Sequence, residues 1–132
     1  MNPLILIVDD DDDTREFLGL LVDVTLRREI RREAELISSE SAEQALRLLD
    51  TVGDRKVFLV TDINMSGMNG LELLESASGK LGARLAAKAV HSGEWQLAPR
   101  AKALGANFIL KGEADSVRKL KDALTGFFRQ AA

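Results

Sequence analysis

The chain has 132 residues, 45% of them hydrophobic, which suits one domain and is too little for two independent cores; with no Cys it has no disulfide framework, thiolate zinc site or cysteine nucleophile, and it fits a reducing compartment, the cytoplasm. Its net charge of −3 is local, because Asp9 to Asp13 are consecutive: taking these five from the 21 acids leaves 16 against 18 Lys and Arg, a balance of +2. That balance excludes a generally basic nucleic-acid-binding face, and the apolar runs fall far short of the roughly 20 residues that a membrane-spanning helix needs.

Leu4 to Val8 is a continuous branched apolar run that stops abruptly at carboxylates, the pattern of a strand buried on both faces of a parallel sheet. Asp13 or Thr14 is placed to cap a following helix whose Phe17, Leu18, Leu21, Val22 and Leu26 recur at helical spacing, with Arg27 to Glu33 as its solvated end. Ala34 to Ile37 predicts a second strand, and Ser41 to Gln44 predicts a capping box opening a helix with Ala42, Ala45, Leu46 and Leu49 inward. After the Gly53-Asp54 turn, Val57 to Thr61 is another buried strand ending at Asp62. The loop Ser66 to Gly70 leads into a helix carrying Leu71, Leu74 and Leu81. Leu85 to Val90 fits a strand or a continuing helix equally, since Ala and Lys are helix formers. Pro99 occupies the first turn of a short helix ending at Leu104 before Gly105. Asn107 to Leu110 is the last strand, and Asp115 to Phe128 the last helix, with Val117, Leu120, Leu124 and Phe127 or Phe128 on one face. Five strands alternating with five helices make an α/β protein with a parallel sheet covered on both sides.

Open sheets of this kind bind ligands beyond the carboxyl ends of their strands. Asp9, Asp10 and Asp11 follow the first strand, Asp62 the third, Ser92 the fourth and Lys111 the fifth. Converging carboxylates repel one another and raise each other's pKa, so they ask for a hard cation. Magnesium suits such a site, taking one or two carboxylates and completing its shell with water, phosphate or carbonyl oxygen.

Leu6-Ile7-Val8-Asp9-Asp10-Asp11 and Thr61-Asp62-Ile63-Asn64-Met65-Ser66-Gly67-Met68-Asn69-Gly70 resemble, respectively, the acidic first-strand motif and the phosphoacceptor motif of response-regulator receiver domains of two-component signalling. The resemblance spans essentially the whole chain and implies a flavodoxin-like (βα)5 sandwich with strand order 2-1-3-4-5, a single receiver domain over 1–132 with no output domain. It implies Asp62 as phosphoacceptor and Mg²⁺ held by Asp9, Asp10, Asp62 and the Asn64 backbone carbonyl. Ser92, thirty positions after Asp62, would be the switch hydroxyl, which favours the strand reading before it; Lys111 would contact the phosphoryl group and Phe108 would be the aromatic switch residue. Asn64 and Glu94, each two positions past a site residue, would tune hydrolysis. The implied partners are a histidine kinase or histidine phosphotransferase and a downstream protein target, without direct nucleic-acid or membrane contact, the chain being a monomer or a phosphorylation-dependent dimer.

Three features depart from the family pattern: Ser66 and Gly112 stand where it usually has proline, and the stretch from Ser92 to Lys111 is a few residues short. Gly112 predicts a more mobile lysine loop. His91 reads as a loop residue influencing access, and Trp95 as a partly buried anchor of the shortened segment. Two alternatives stay open. One is a receiver-like adaptor that docks independently of phosphorylation. The other is a phosphatase, because Asp10-Asp11-Asp12-Asp13-Thr14 fits the D-x-D-x-T pattern of haloacid-dehalogenase-like enzymes, with Asp10 as nucleophile.

Overall fold

The computed structural model describes residues 1–131. Five parallel strands, β1 (Leu4–Val8), β2 (Glu35–Ser39), β3 (Val57–Thr61), β4 (Leu85–Ser92) and β5 (Asn107–Leu110), form one sheet in the order β2-β1-β3-β4-β5. Five helices alternate with them: α1 (Asp12–Thr25), α2 (Ala42–Leu49), α3 (Gly70–Leu81), α4 (Ala98–Ala103) and α5 (Ser116–Ala131). The fold and strand order are those expected from the sequence.

Because successive side chains of a strand point to opposite faces, the apolar runs feed two cores at once. Leu4, Leu6 and Val8 join Val57, Leu59 and Val90 under α2, α3 and α4, with Ala45, Leu49, Leu74 and Ala101 supplying the helix side. Ile5 and Ile7 join Phe58, Val60, Ala89 and Ile109 under α1 and α5, packed by Leu18, Val22, Leu120, Leu124, Phe127 and Phe128. β1 and β3, each buried along its whole length, are therefore the rigid centre from which the acidic segments emerge.

Several local expectations are corrected. Asp11, not Asp13 or Thr14, caps α1: its backbone is extended and its carboxylate accepts the Thr14 N–H and hydroxyl. The inward face of α1 runs through Leu18, Val22 and Thr25, which leaves Phe17 53% exposed; Val117 of α5 is likewise exposed. The α-helix stops at Thr25, and Leu26–Ile30 forms a π-helical turn that Arg31 ends in the left-handed conformation (φ 57°). Ser41 does accept the Gln44 N–H, but the Gln44 amide oxygen turns to the Glu40 N–H and the Ser39 hydroxyl, so the reciprocal bond is missing. A complete capping box occurs instead at Asn69 and Glu72, opening α3. Among the described residues no helix is long and apolar enough to cross a membrane.

Candidate functional site

Backbone pairing continues one residue past the strands and places the key carboxylates. The Asp9 N–H donates to the Ser39 carbonyl at 3.1 Å, and the Asp62 N–H to the Val8 carbonyl at 3.0 Å, so both acids sit at the carboxyl edge of the central strands. Gly70 closes the loop after β3: its N–H donates to the Ile63 carbonyl, and a Cβ there would lie 1.8 Å from the Asp62 carbonyl oxygen. Only glycine allows that approach.

Carboxylate oxygens of Asp9, Asp10 and Asp62 lie within 4.8 Å of one another. Asp9 and Asp62 are buried, while Asp10 is exposed. Asp62 accepts the Ile63 N–H on Oδ1 at 2.7 Å and Lys111 Nζ on Oδ2 at 2.8 Å. Lys111 comes from the far end of the sheet; its own N–H donates to the Ser92 carbonyl, which ties the residue after β5 to the end of β4. The Asp9 Oδ1 accepts the Asp11 N–H, but the buried Oδ2 has no hydrogen-bond partner and only an ionic contact to Lys111 Nζ at 3.4 Å.

The charges are strained accordingly. Burial pushes the Asp9 carboxyl above the usual carboxylate range, aided by the Asp62 charge and opposed by the Asp11 N–H and Lys111. For Lys111 burial works downward, but the hydrogen bond and charge of Asp62 and the charge of Asp9 prevail and hold the ammonium above its ordinary value. One ammonium thus serves two carboxylates while a third stands beside them.

This donor set fits a hard divalent cation: three carboxylates at mutual ligand spacing, all-oxygen chemistry, and one buried carboxylate oxygen without a hydrogen bond. The phosphatase pattern fits less well. It needs Asp12 at the centre, whereas Asp12 lies in the first turn of α1, exposed and paired with Arg15 at 2.5 Å. Arg15, which sequence reasoning passed over, also donates to the Asp9 carbonyl at 2.8 Å, bracing the first acidic residue from α1. Its signal in the sequence is only a basic residue one turn past the acids.

The remaining expected residues lie on the segments after β3, β4 and β5 or on β4 and β5 themselves. Ser92 is buried, and its hydroxyl accepts the Glu94 N–H at 3.0 Å. Asn64 and Glu94 bond to each other, Nδ2 to Oε1, at 2.6 Å. Phe108 is half-buried against the α2, α3 and α4 core. Gly112 adopts φ 79°, which the ring of proline excludes, so the glycine is matched to this loop's path. His91 does not lie in a loop: it is the penultimate residue of β4, points to the α1 and α5 side opposite Ser92, and lines a small cavity with Phe17, Leu18, Leu21 and Ile109. Trp95 is not a buried anchor. It is 70% exposed, and in the short 3₁₀ turn Trp95–Leu97 it is Leu97, partly buried, that packs against the core.

Comparison with solved structures matches the fold to response-regulator receivers. A receiver domain protein from Clostridium thermocellum superposes with a TM-score of 0.78 at 17% identity, over 98% of this chain and 96% of that one. A receiver protein from Pseudomonas putida gives 0.74 at 25% identity, over 96% and 98%. The chain has the receiver-domain fold. The receiver domain of the hybrid histidine kinase CckA is also similar, with a TM-score of 0.69 at 25% identity over 94% of this chain and 97% of that one. No protein-family model and no curated protein sequence matches the chain. Within the receiver fold, the acidic cluster lies at the carboxyl edge of the two central strands, where sequence analysis expected it.

Proposed function

We propose that the chain is a response-regulator receiver that accepts a phosphoryl group on Asp62 from the phosphohistidine of a histidine kinase or histidine phosphotransferase, and passes the signal on by protein–protein contact. One observation carries the reading: Asp62 is buried at the sheet edge, hydrogen-bonded to Lys111, and within 4.8 Å of Asp9 and Asp10, one of whose buried oxygens has no partner.

Asp9, Asp10, Asp62 and the Asn64 carbonyl would hold Mg²⁺, which when bound supplies neutralisation of the charge spread over the transferring oxygens. A carboxylate oxygen of Asp62 attacks phosphorus as the phosphorus–nitrogen bond to the partner's imidazole breaks, and the imidazole leaves with the electron pair. Little covalent assistance is needed, because in-line positioning and charge neutralisation dominate phosphoryl transfer. The Ile63 N–H and Lys111 hold Asp62 for attack, and Lys111 stays beside the product to offset its nearly two added charges. Ser92 now accepts from Glu94, and its hydroxyl proton has no acceptor among the described residues; it is available to the phosphoryl oxygens. Moving Ser92 toward them draws the turn after β4 inward and frees space for Phe108, half-buried across the adjoining strand, to repack. Hydrolysis of the acyl phosphate ends the signal, its rate tuned by Asn64 and Glu94.

The test is incubation with acetyl phosphate and Mg²⁺, followed by intact-protein mass. One phosphoryl group per chain is expected, absent in Asp62→Asn and absent with a chelator. Labelling of Asp62→Asn to the wild-type level, or sustained turnover of a phosphomonoester, would sink the reading. The adaptor alternative gives unchanged partner binding on addition of beryllofluoride.

A further inference from the structure

The geometry points to Glu43, the second residue of α2, as a positioning residue that clamps the loop from Asp62 to Gly70 and so sets Asn64 against the acceptor site. The inference rests on the acceptor reading above and adds to it a residue outside the acidic cluster. Glu43 Oε2 accepts the Met68 N–H at 3.0 Å across twenty-five residues of sequence. At the neighbouring Gly67 (φ 80°) a Cβ would lie 2.6 Å from the same oxygen, so the carboxylate rests directly on the loop's turn. The Met68 hydrogen bond holds the Glu43 carboxyl below its ordinary range, so it is ionised and remains an acceptor at neutral pH.

Met65 and Met68 of the loop pack against the core, and two polar attachments hold its ends. Its base is closed by Gly70 on the Asp62 carbonyl and the Ile63 carbonyl. Near its start Asn64 is held by Glu94, which belongs to the turn after β4. That second anchor must yield if the turn moves during switching, whereas α2 is packed into the core through Ala42, Ala45 and Leu49. Glu43 is thus the attachment of the loop's far side to a rigid element, and it keeps Asn64 in register with Asp62 while the β4 side rearranges.

Acetyl phosphate labelling at saturating Mg²⁺, amide hydrogen exchange at Met68 and thermal unfolding of wild type, Glu43→Ala and Glu43→Gln decide the matter. Glu43→Ala is expected to accelerate Met68 exchange and slow labelling about tenfold with little change in melting temperature. Glu43→Gln, which keeps an acceptor oxygen, restores both. Wild-type labelling in Glu43→Ala, unchanged Met68 exchange, or equal impairment by Gln and Ala would each overturn the clamp alone. A wild-type chain that takes up no phosphoryl group overturns the acceptor reading and this inference together.

Discussion

Asn64 Nδ2 donates to Glu94 Oε1 at 2.6 Å, joining the loop after β3 to the turn after β4. Sequence spacing singled out both residues separately, and the structure makes them one unit. In the proposed receiver reaction this amide–carboxylate pair would restrict the path of attacking water. Glu94→Ala and Asn64→Ala are each expected to shorten the acyl-phosphate lifetime up to about tenfold, near 1.4 kcal/mol in barrier. The double variant should fall well short of the product of the two, as residues in contact do. Lifetimes read by mass after removal of the phosphodonor check this; independent effects would mean that the bond has no role in hydrolysis.

Lys111 is the only cation bonded to Asp62 among the described residues, and it also faces Asp9. Lys111→Ala leaves the carboxylates to repel one another, and the metal-free protein should lose about 1–2 kcal/mol, a modest figure because the lysine is 30% exposed. With the competing ammonium gone, Mg²⁺ should restore more stability to the variant than it gives wild type. Melting curves in chelator and in Mg²⁺ measure both, and equal Mg²⁺ shifts would contradict the shared site.

His91 is held neutral. Burial first, and the Lys111 ammonium next, push its pKa down to about 4, with Asp62 opposing; the buried Nδ1 has no hydrogen-bond partner. Its ordinary value is 6.5, so between about 6.5 and 4 the unfolded chain binds the extra proton. Its contribution is therefore fully present above pH 6.5 and lost as pH falls, by about 3 kcal/mol at most. His91→Leu removes this term, and its unfolding free energy relative to wild type should rise steadily through that window in urea titrations. Parallel pH profiles would refute the assignment.

Gly70→Ala forces a Cβ against the Asp62 carbonyl and should destabilise by about 3 kcal/mol. Gly79→Ala, inside α3 with nothing within 4 Å, should instead stabilise by about 0.5–1 kcal/mol. Chemical unfolding of the pair separates local crowding from general intolerance of side chains in and before α3.

The strands that position the site were legible because burial on both faces writes them as unbroken apolar runs, and Asp9 and Asp62 because such runs end at them. The second strand was less so: it is an edge strand, and its span, expected at Ala34 to Ile37, lies at Glu35 to Ser39, where Ser38 faces solvent and Ser39 is buried. Trp95 was misjudged because a large aromatic side chain in a short connection signals burial, whereas the 3₁₀ turn chose Leu97. Phe17 was misjudged by one position of helical phase. Glu43 left no trace and Arg15 little: the bonds from Glu43 to Met68 and from Arg15 to the Asp9 carbonyl reach backbone groups set by tertiary approach, and a pattern of side chains does not encode which main-chain group will face them.

The cluster draws Asp9 and Asp10 from the first strand's end and Lys111 from the last strand's end. During synthesis the ribosome therefore releases all three carboxylates well before their counter-ion. A nascent chain that has reached only α4 carries an acidic pocket with no internal cation. Until β5 docks, the three carboxylates repel one another with no lysine between them, and a divalent cation held as proposed would relieve that repulsion in the young polypeptide as well as in the finished one.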